Sequence, residues 1–274
     1  MKRKNKHVKK NFKPFIISVI FVICAVVILL GKRSMNETAD IRLIDDNAQV
    51  ESLTQQDKVS TPTDAPTAAP TAAPTPQQIR RGTSEPIPEQ IQLSMQGKSM
   101  KNNNNITFDD LRYLTIPHYD FNYNITTGHL VVAASLAEEV LDIFAELFDA
   151  KYPIERMELI DKYDANDFTS IEYNNTSAFN YRQVSTGTGK LSNHAFGRAI
   201  DINPQQNPYV YSNGSGAHEN AREFWKRDIA KWTREIDRAA YIGNDTQIYR
   251  IFKKRGWTWG GDWSPSKDYQ HFEK

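Results

Sequence analysis

Hydrophobic positions divide the chain into three regimes. Residues 15–31 are almost uninterrupted Ile, Val, Phe and Leu, with Ser18 the one polar interruption. About 17 apolar residues in a row predict a helix at the short end of what spans a bilayer. Residues 34–104 show no amphipathic period. From 106 onward apolar positions recur at folding spacings. Val131, Leu136, Val140, Ile143, Phe144 and Leu147 fall on one helical face, opposite Glu138, Glu139, Asp142 and Glu146. That helix should stop near Ala150, ahead of Pro153. Residues 154–160 alternate weakly, as a short strand does, and Ala199-Ile200-Asp201-Ile202-Asn203 alternates with Ile on one face. A second helix is expected over 219–240, carrying Phe224, Trp225, Ile229 and Trp232. A third is expected over 248–255, closed by Gly256. Helices early and late, with short strands between, predict an α+β fold and not alternating βαβ units.

The flanks of the apolar run assign an orientation. Residues 1–14 hold Lys2, Arg3, Lys4, Lys6, Lys9, Lys10 and Lys13 with no acid, against Lys32 and Arg33 on the far side. The positive side stays in the cytoplasm, so 1–14 is read as a cytoplasmic tail and 15–31 as a cell-membrane anchor. Cleavage as a signal peptide is the competing reading, for which Leu29-Leu30-Gly31 offers a poor site. Residues 32–105 are read as a disordered linker, built around the Ala-Pro-Thr tract from Thr61 to Pro76. Proline at that spacing blocks helix and sheet. About 70 residues of such chain span roughly 50 Å or more, enough to hold residues 106–274 away from the membrane on its extracytoplasmic side.

Composition removes several function classes. A net charge of +1 over 274 residues gives no electrostatic case for a nucleic-acid partner. The single cysteine, Cys24, lies in the apolar run, so neither an intrachain disulfide nor a cysteine-bound metal is available. Any metal must sit on His, Asp or Glu.

Six histidines permit elimination. His7 falls in the basic tail, and His118, His129 and His218 have no ligand-spaced partner. His194 is different: Gly197 allows a tight turn, and Asp201 follows on the polar side of the 199–203 alternation, where an acid among isoleucines needs a cation or hydrogen bonds. An aspartate capping a turn is the alternative. At the far end Asp268 precedes His271 by three residues, so both can face one cavity. Zn2+ on His194, Asp201 and His271 would keep one open position for water, with Asp268 as general base. Arg182 is a candidate for holding a substrate carboxylate or oxyanion, the alternative being an ordinary ion pair. Trp257, Trp259 and Trp263 stand among Gly256, Gly260 and Gly261; the first two suit a core equally well, and Trp263 is the better groove wall. Ser264-Pro265-Ser266-Lys267 matches S-x-x-K formally but has no K-T-G partner, and Gly187-Thr188-Gly189-Lys190 is an incomplete phosphate loop.

Ser192-x-His194-x-x-Gly197-x-Ala199-x-Asp201 followed by Asp268-x-x-His271 resembles the M15, VanY-like zinc peptidases of bacterial cell walls. These are D-Ala-D-Ala carboxypeptidases and L-Ala-D-Glu endopeptidases. Residues 174–182, Gly260-Gly261-Asp262-Trp263 and His271-Phe272-Glu273 extend the likeness, the last two toward the endopeptidase-like branch. The resemblance implies a small antiparallel sheet with flanking helices, of the hedgehog/DD-peptidase-like kind. It implies zinc on His194, Asp201 and His271, Asp268 as base, Arg182 toward substrate, and peptidoglycan stem peptides as substrate, with Ser192 and Trp263 as further substrate contacts. Many relatives carry Glu where Asp268 stands, so the shorter acid must be brought closer. A wall-binding zinc module without catalysis is the alternative from another class.

Overall fold

A computed structural model of the protein describes residues 80–184 and 187–274. The expected tail, anchor and most of the linker lie outside the described residues. Among those described, no helix is long and apolar enough to cross a membrane.

In chain order the elements are β1 (Thr83–Glu85), α1 (Glu89–Met95), β2 (Leu111–Tyr119), β3 (Ile125–Ala133), α2 (Ala137–Asp149), β4 (Arg156–Met157), α3 (Asp167–Glu172) and β5 (Asn175–Thr176). There follow β6 (Ala199–Asp201), β7 (Tyr209–Val210), α4 (Glu235–Ala239), α5 (Gln247–Lys253), β8 (Thr258–Trp259), β9 (Lys267–Asp268) and β10 (His271–Glu273). The mixture is α+β, with sheets ordered β1-β2-β3, β6-β10-β8, β4-β5 and β7-β9. Among the strands described, β4 and β5 pair in parallel and the others antiparallel.

The main core lies between the β2–β3 hairpin and the sheet that carries the chemistry. Leu114, Ile116, Leu130 and Val132 from the hairpin meet Val140, Ile143, Phe144 and Leu147 of α2. The other wall is Ile200, Ile202, Phe252, Trp257, Trp259 and Phe272. Each such side chain contributes roughly 1.5–3 kcal/mol by leaving water. The hairpin turns at Asp120, whose Oδ1 accepts the backbone N–H groups of Asn122 and Asn124 at 2.8 and 2.9 Å. The acidic outer face of α2 is covered by cations from distant parts of the chain. Arg81 meets Glu138 and Asp142, Arg255 and Lys254 meet Glu146, and Lys274 meets Glu139.

Three expectations are corrected. Residues 80–105 are not linker: Ile87, Met95 and Met100 are buried with Ile106, Leu111, Val131 and Phe179 in a second core cluster. Ile87, Ile91 and Met95 stand four residues apart, the spacing of one helix face, inside a segment whose Gln, Ser and Asn content masks it. Val131 belongs to strand β3, and the helix begins only at Ala137. The long helix over 219–240 is broken into 3₁₀ turns at Glu219–Phe224 and Ile229–Lys231, then α4. Arg227 interrupts it with φ of 55°, a left-handed conformation no helix accommodates. Its side chain turns inward between the rings of Tyr241 and Tyr269, at 4.3 and 4.2 Å, and donates to the carbonyl of Ile242 at 2.6 Å. Burial pulls the Arg227 guanidinium down to about 10, which leaves it a cation at neutral pH.

Candidate metal centre

Strand pairing assembles the site. In β6 the isoleucines face the core, so Ala199 and Asp201 face the opposite side. In β10 Phe272 faces the core, stacked on Phe252 at 4.0 Å, and His271 and Glu273 share the other side. The antiparallel register sets His271 directly against Asp201 and Phe272 against Ile200. Cross-strand alignment therefore places one imidazole and one carboxylate side by side, with Oδ1 of Asp201 2.9 Å from Nδ1 of His271.

His194 arrives on the 3₁₀ turn Asn193–Phe196. Ser192 caps that turn, its Oγ accepting the backbone N–H of His194 at 3.3 Å, and it is buried. Its hydroxyl thus holds the ligand-bearing turn. Gly197 ends the turn with φ of 65°, and a Cβ there would lie 2.5 Å from the backbone nitrogen of Ala133. Only glycine meets both demands, and the close approach lets the Gly197 carbonyl accept from Ala133 at 2.9 Å.

The three ligand candidates converge. Nε2 of His194 lies 3.2 Å from Nδ1 of His271 and 3.2 Å from Oδ2 of Asp201. Donor atoms about 2.0–2.1 Å from one tetrahedral ion sit roughly 3.3 Å apart, so this triangle has the right size for a shared divalent cation. Among the described residues these three form the group able to hold a metal. The outward ring nitrogens are fixed as well. Nδ1 of His194 donates to the Ala178 carbonyl at 2.5 Å, which turns the Nε2 lone pair into the triangle. Nε2 of His271 lies 3.0 Å from Glu273, whose carboxylate also accepts from Nδ2 of Asn193 at 2.7 Å. Glu273 was not singled out as a functional residue; the signal was its position two residues beyond His271 on the same strand face.

Charge follows geometry. Burial lowers the His271 imidazole, but Asp201 and Glu273 outweigh it and raise the group to about 10. Burial works against the Asp201 carboxylate, yet the two imidazoles hold it well below the usual carboxylate range. In a metal-free pocket the histidine proton neutralises the acid where a divalent cation otherwise would.

Asp268 stands beside this cluster on β9, in register with Tyr209. Gly260 makes room for it: a Cβ there would lie 2.4 Å from the Asp268 carbonyl oxygen. Oδ1 of Asp268 is buried and meets no hydrogen-bond donor among the described residues. Burial and the neighbouring Asp201 charge push its carboxyl up to about 7, while His271 and Arg182 pull the other way. Arg182 is thus near enough for its charge to act on Asp268. Its Nε forms an ion pair with Asp167, the contact given above as the alternative to a substrate-facing role. Trp263 lies with its ring centroid 5.2 Å from that of His271 and 37% exposed, while Trp257 and Trp259 are core residues.

The remaining histidines stay apart. His118 is buried in β2, and His129, in β3, stacks on Tyr113. His218 is buried against Phe168, with ring centroids 4.4 Å apart.

Residues 186–274 match the family model described as D-alanyl-D-alanine carboxypeptidase, one of the M15 peptidases. No solved structure matches the chain. The matched segment contains His194, Asp201, Asp268 and His271, and it stops short of Arg182 and the β2–β3 hairpin. Over residues 186–274 this chain, with two histidines and an aspartate converging beside a buried acid, is similar to the M15 peptidases.

Proposed function

We propose that the protein is a membrane-anchored zinc peptidase that hydrolyses peptidoglycan stem peptides on the wall side of the cell membrane. The observation carrying this reading is the His194–Asp201–His271 triangle with the donor-free Asp268 oxygen beside it, inside the family-matched segment. Two imidazoles and a carboxylate suit zinc. A zinc ion held by these residues supplies a Lewis acid for the scissile carbonyl and acidifies the attacking water. Asp268 takes the proton from that water and passes it to the departing amine nitrogen. Arg182 offers a cation to a substrate carboxylate or to the developing oxyanion, and Trp263 walls the groove next to His271.

The anchor and orientation rest on the apolar run 15–31 and its basic flank. The family description favours removal of a terminal D-Ala; cleavage between L-Ala and D-Glu is the second bond such a site can take. Mass spectrometry of purified muropeptides after incubation with the full chain tests the reading. Loss of one alanine marks carboxypeptidase action, and a released peptide beginning with D-Glu marks the endopeptidase. A chelator should abolish either product and zinc should restore it. Asp268→Ala should retain metal and lose at least ~10²-fold in turnover. Intact muropeptides, or turnover indifferent to chelator, would overturn the proposal.

A further inference from the structure

Arg182 has a long, rotamer-rich side chain, and a cation of that kind serves a transition state only if it is held before substrate arrives. Its backbone is already held. The Arg182 carbonyl accepts from the N–H of Ser192 at 3.0 Å, and Gln183 bridges to Leu191, so the residue runs along the segment that carries His194. Its guanidinium is held from a different element. Asp167 opens α3, directly after the capping residue Asn166, and its Oδ2 pairs with Nε of Arg182. Its Oδ1 accepts from Nδ2 of Asn180 at 3.0 Å. Asn180 is buried, donates from the same Nδ2 to the Ala165 carbonyl at 3.1 Å, and donates its backbone N–H to the carbonyl of His194 at 3.1 Å. One short chain of contacts thus runs from a metal-ligand residue through Asn180 and Asp167 to the guanidinium. With Asp167 on Nε and the Gln183 carbonyl 3.3 Å from Nη1, Nη2 is the donor group left for a ligand among the described residues.

We propose that Asp167 is a positioning residue that aims Arg182 into the metal cavity, with Asn180 tying its carboxylate to the His194 segment. The inference rests on the substrate-facing role given to Arg182 above. An ion pair at this partial exposure that only braced the fold would leave catalysis alone. A guanidinium displaced by about 1 Å can cost on the order of 10²-fold in rate.

The test measures kcat and KM of the zinc-loaded full chain on a soluble pentapeptide stem, together with zinc content and thermal midpoint. The variants are Asp167→Asn, Asp167→Glu, Arg182→Ala and the Asp167→Asn/Arg182→Ala double substitution. Asp167→Asn should lower kcat/KM roughly 10- to 100-fold with zinc content and midpoint unchanged, and Asp167→Glu should recover part of the loss. In the Arg182→Ala background the same Asn substitution should change kcat/KM by less than about twofold, because its target is gone. An equal penalty in both backgrounds, or full activity of Asp167→Asn beside an impaired Arg182→Ala, overturns the positioning role and leaves the proposed function standing. Wild-type kcat/KM in Arg182→Ala removes the role of Arg182 and this inference with it. A wild-type chain that leaves the stem peptide intact overturns the proposed function itself.

Discussion

At the residue scale, the site is a balance of protons against a cation. Without metal, His271 holds its proton to about pH 10 because Asp201 and Glu273 face it. A metal must displace that proton. Since the group's pKa lies above neutrality, its protonated fraction falls as pH rises, and apparent metal affinity should climb about tenfold per pH unit below 10. Calorimetric titration of zinc in buffers of different ionisation enthalpy should report close to one proton released per ion at pH 7, plus any share from Asp268. Proton-independent binding would contradict the assigned ligand. Glu273 acts on the same balance by fixing the His271 ring at 3.0 Å. Glu273→Gln should weaken zinc binding roughly 10- to 100-fold, read by competition with a chromogenic chelator, with the thermal midpoint of the metal-free chain little changed. The ligands themselves were legible because each sits in a short motif with a definite strand or turn periodicity. Glu273 was not, because its role appears only once β10 turns two successive odd positions to one side.

At the scale of elements, sheet register carries the chemistry. A shift of one residue between β6 and β10 would send Asp201 or His271 into the core and expose Ile200 or Phe272, so apolar burial on one face fixes polar placement on the other. The turn bearing His194 depends on Gly197 in the same way. Gly197→Ala would force an L-residue to φ of 65° and press a methyl against Ala133, so it should cost at least about 2 kcal/mol in urea denaturation and reduce zinc occupancy. Full stability in that variant would mean the β3 contact is dispensable. The helix expected over 219–240 shows the limit of reading propensity alone. Arg, Lys and Glu are good helix formers on an exposed surface, but here Arg227 is drawn between two tyrosine rings to brace Tyr269, next to Asp268. Tertiary demand overrode a local preference. The β2–β3 hairpin was hidden by Pro117 in one strand, and by Val131 and Leu136, whose spacing imitated the helix that follows.

At the scale of the molecule, the folded body takes in residues 80–105 as well as the expected domain. The α+β class was legible from the order of patterns, whereas the boundary was not, because a polar, asparagine-rich stretch disguised the buried face of α1. A chain shortened to begin at residue 106 would strip Ile87, Met95 and Met100 from the cluster around Leu111 and Phe179, and with them the Arg81 pairs to α2. Losing three buried apolar side chains at roughly 1.5–3 kcal/mol each should make that product melt far below one beginning at residue 80, or fail to fold. Equal midpoints by calorimetry would return the segment to the linker.

The ligand-bearing strand β10 lies some seventy positions after its partner in β6. The hairpin and α2 also wait for that end of the chain, because Phe252, Trp257, Trp259 and Phe272 close their core. A cation that needs all three side chains could be held only after His271 has paired with Asp201. A chain halted at Gln270 would keep His194 and Asp201 yet stay empty, which makes ion uptake a built-in check that synthesis has run past the final ligand.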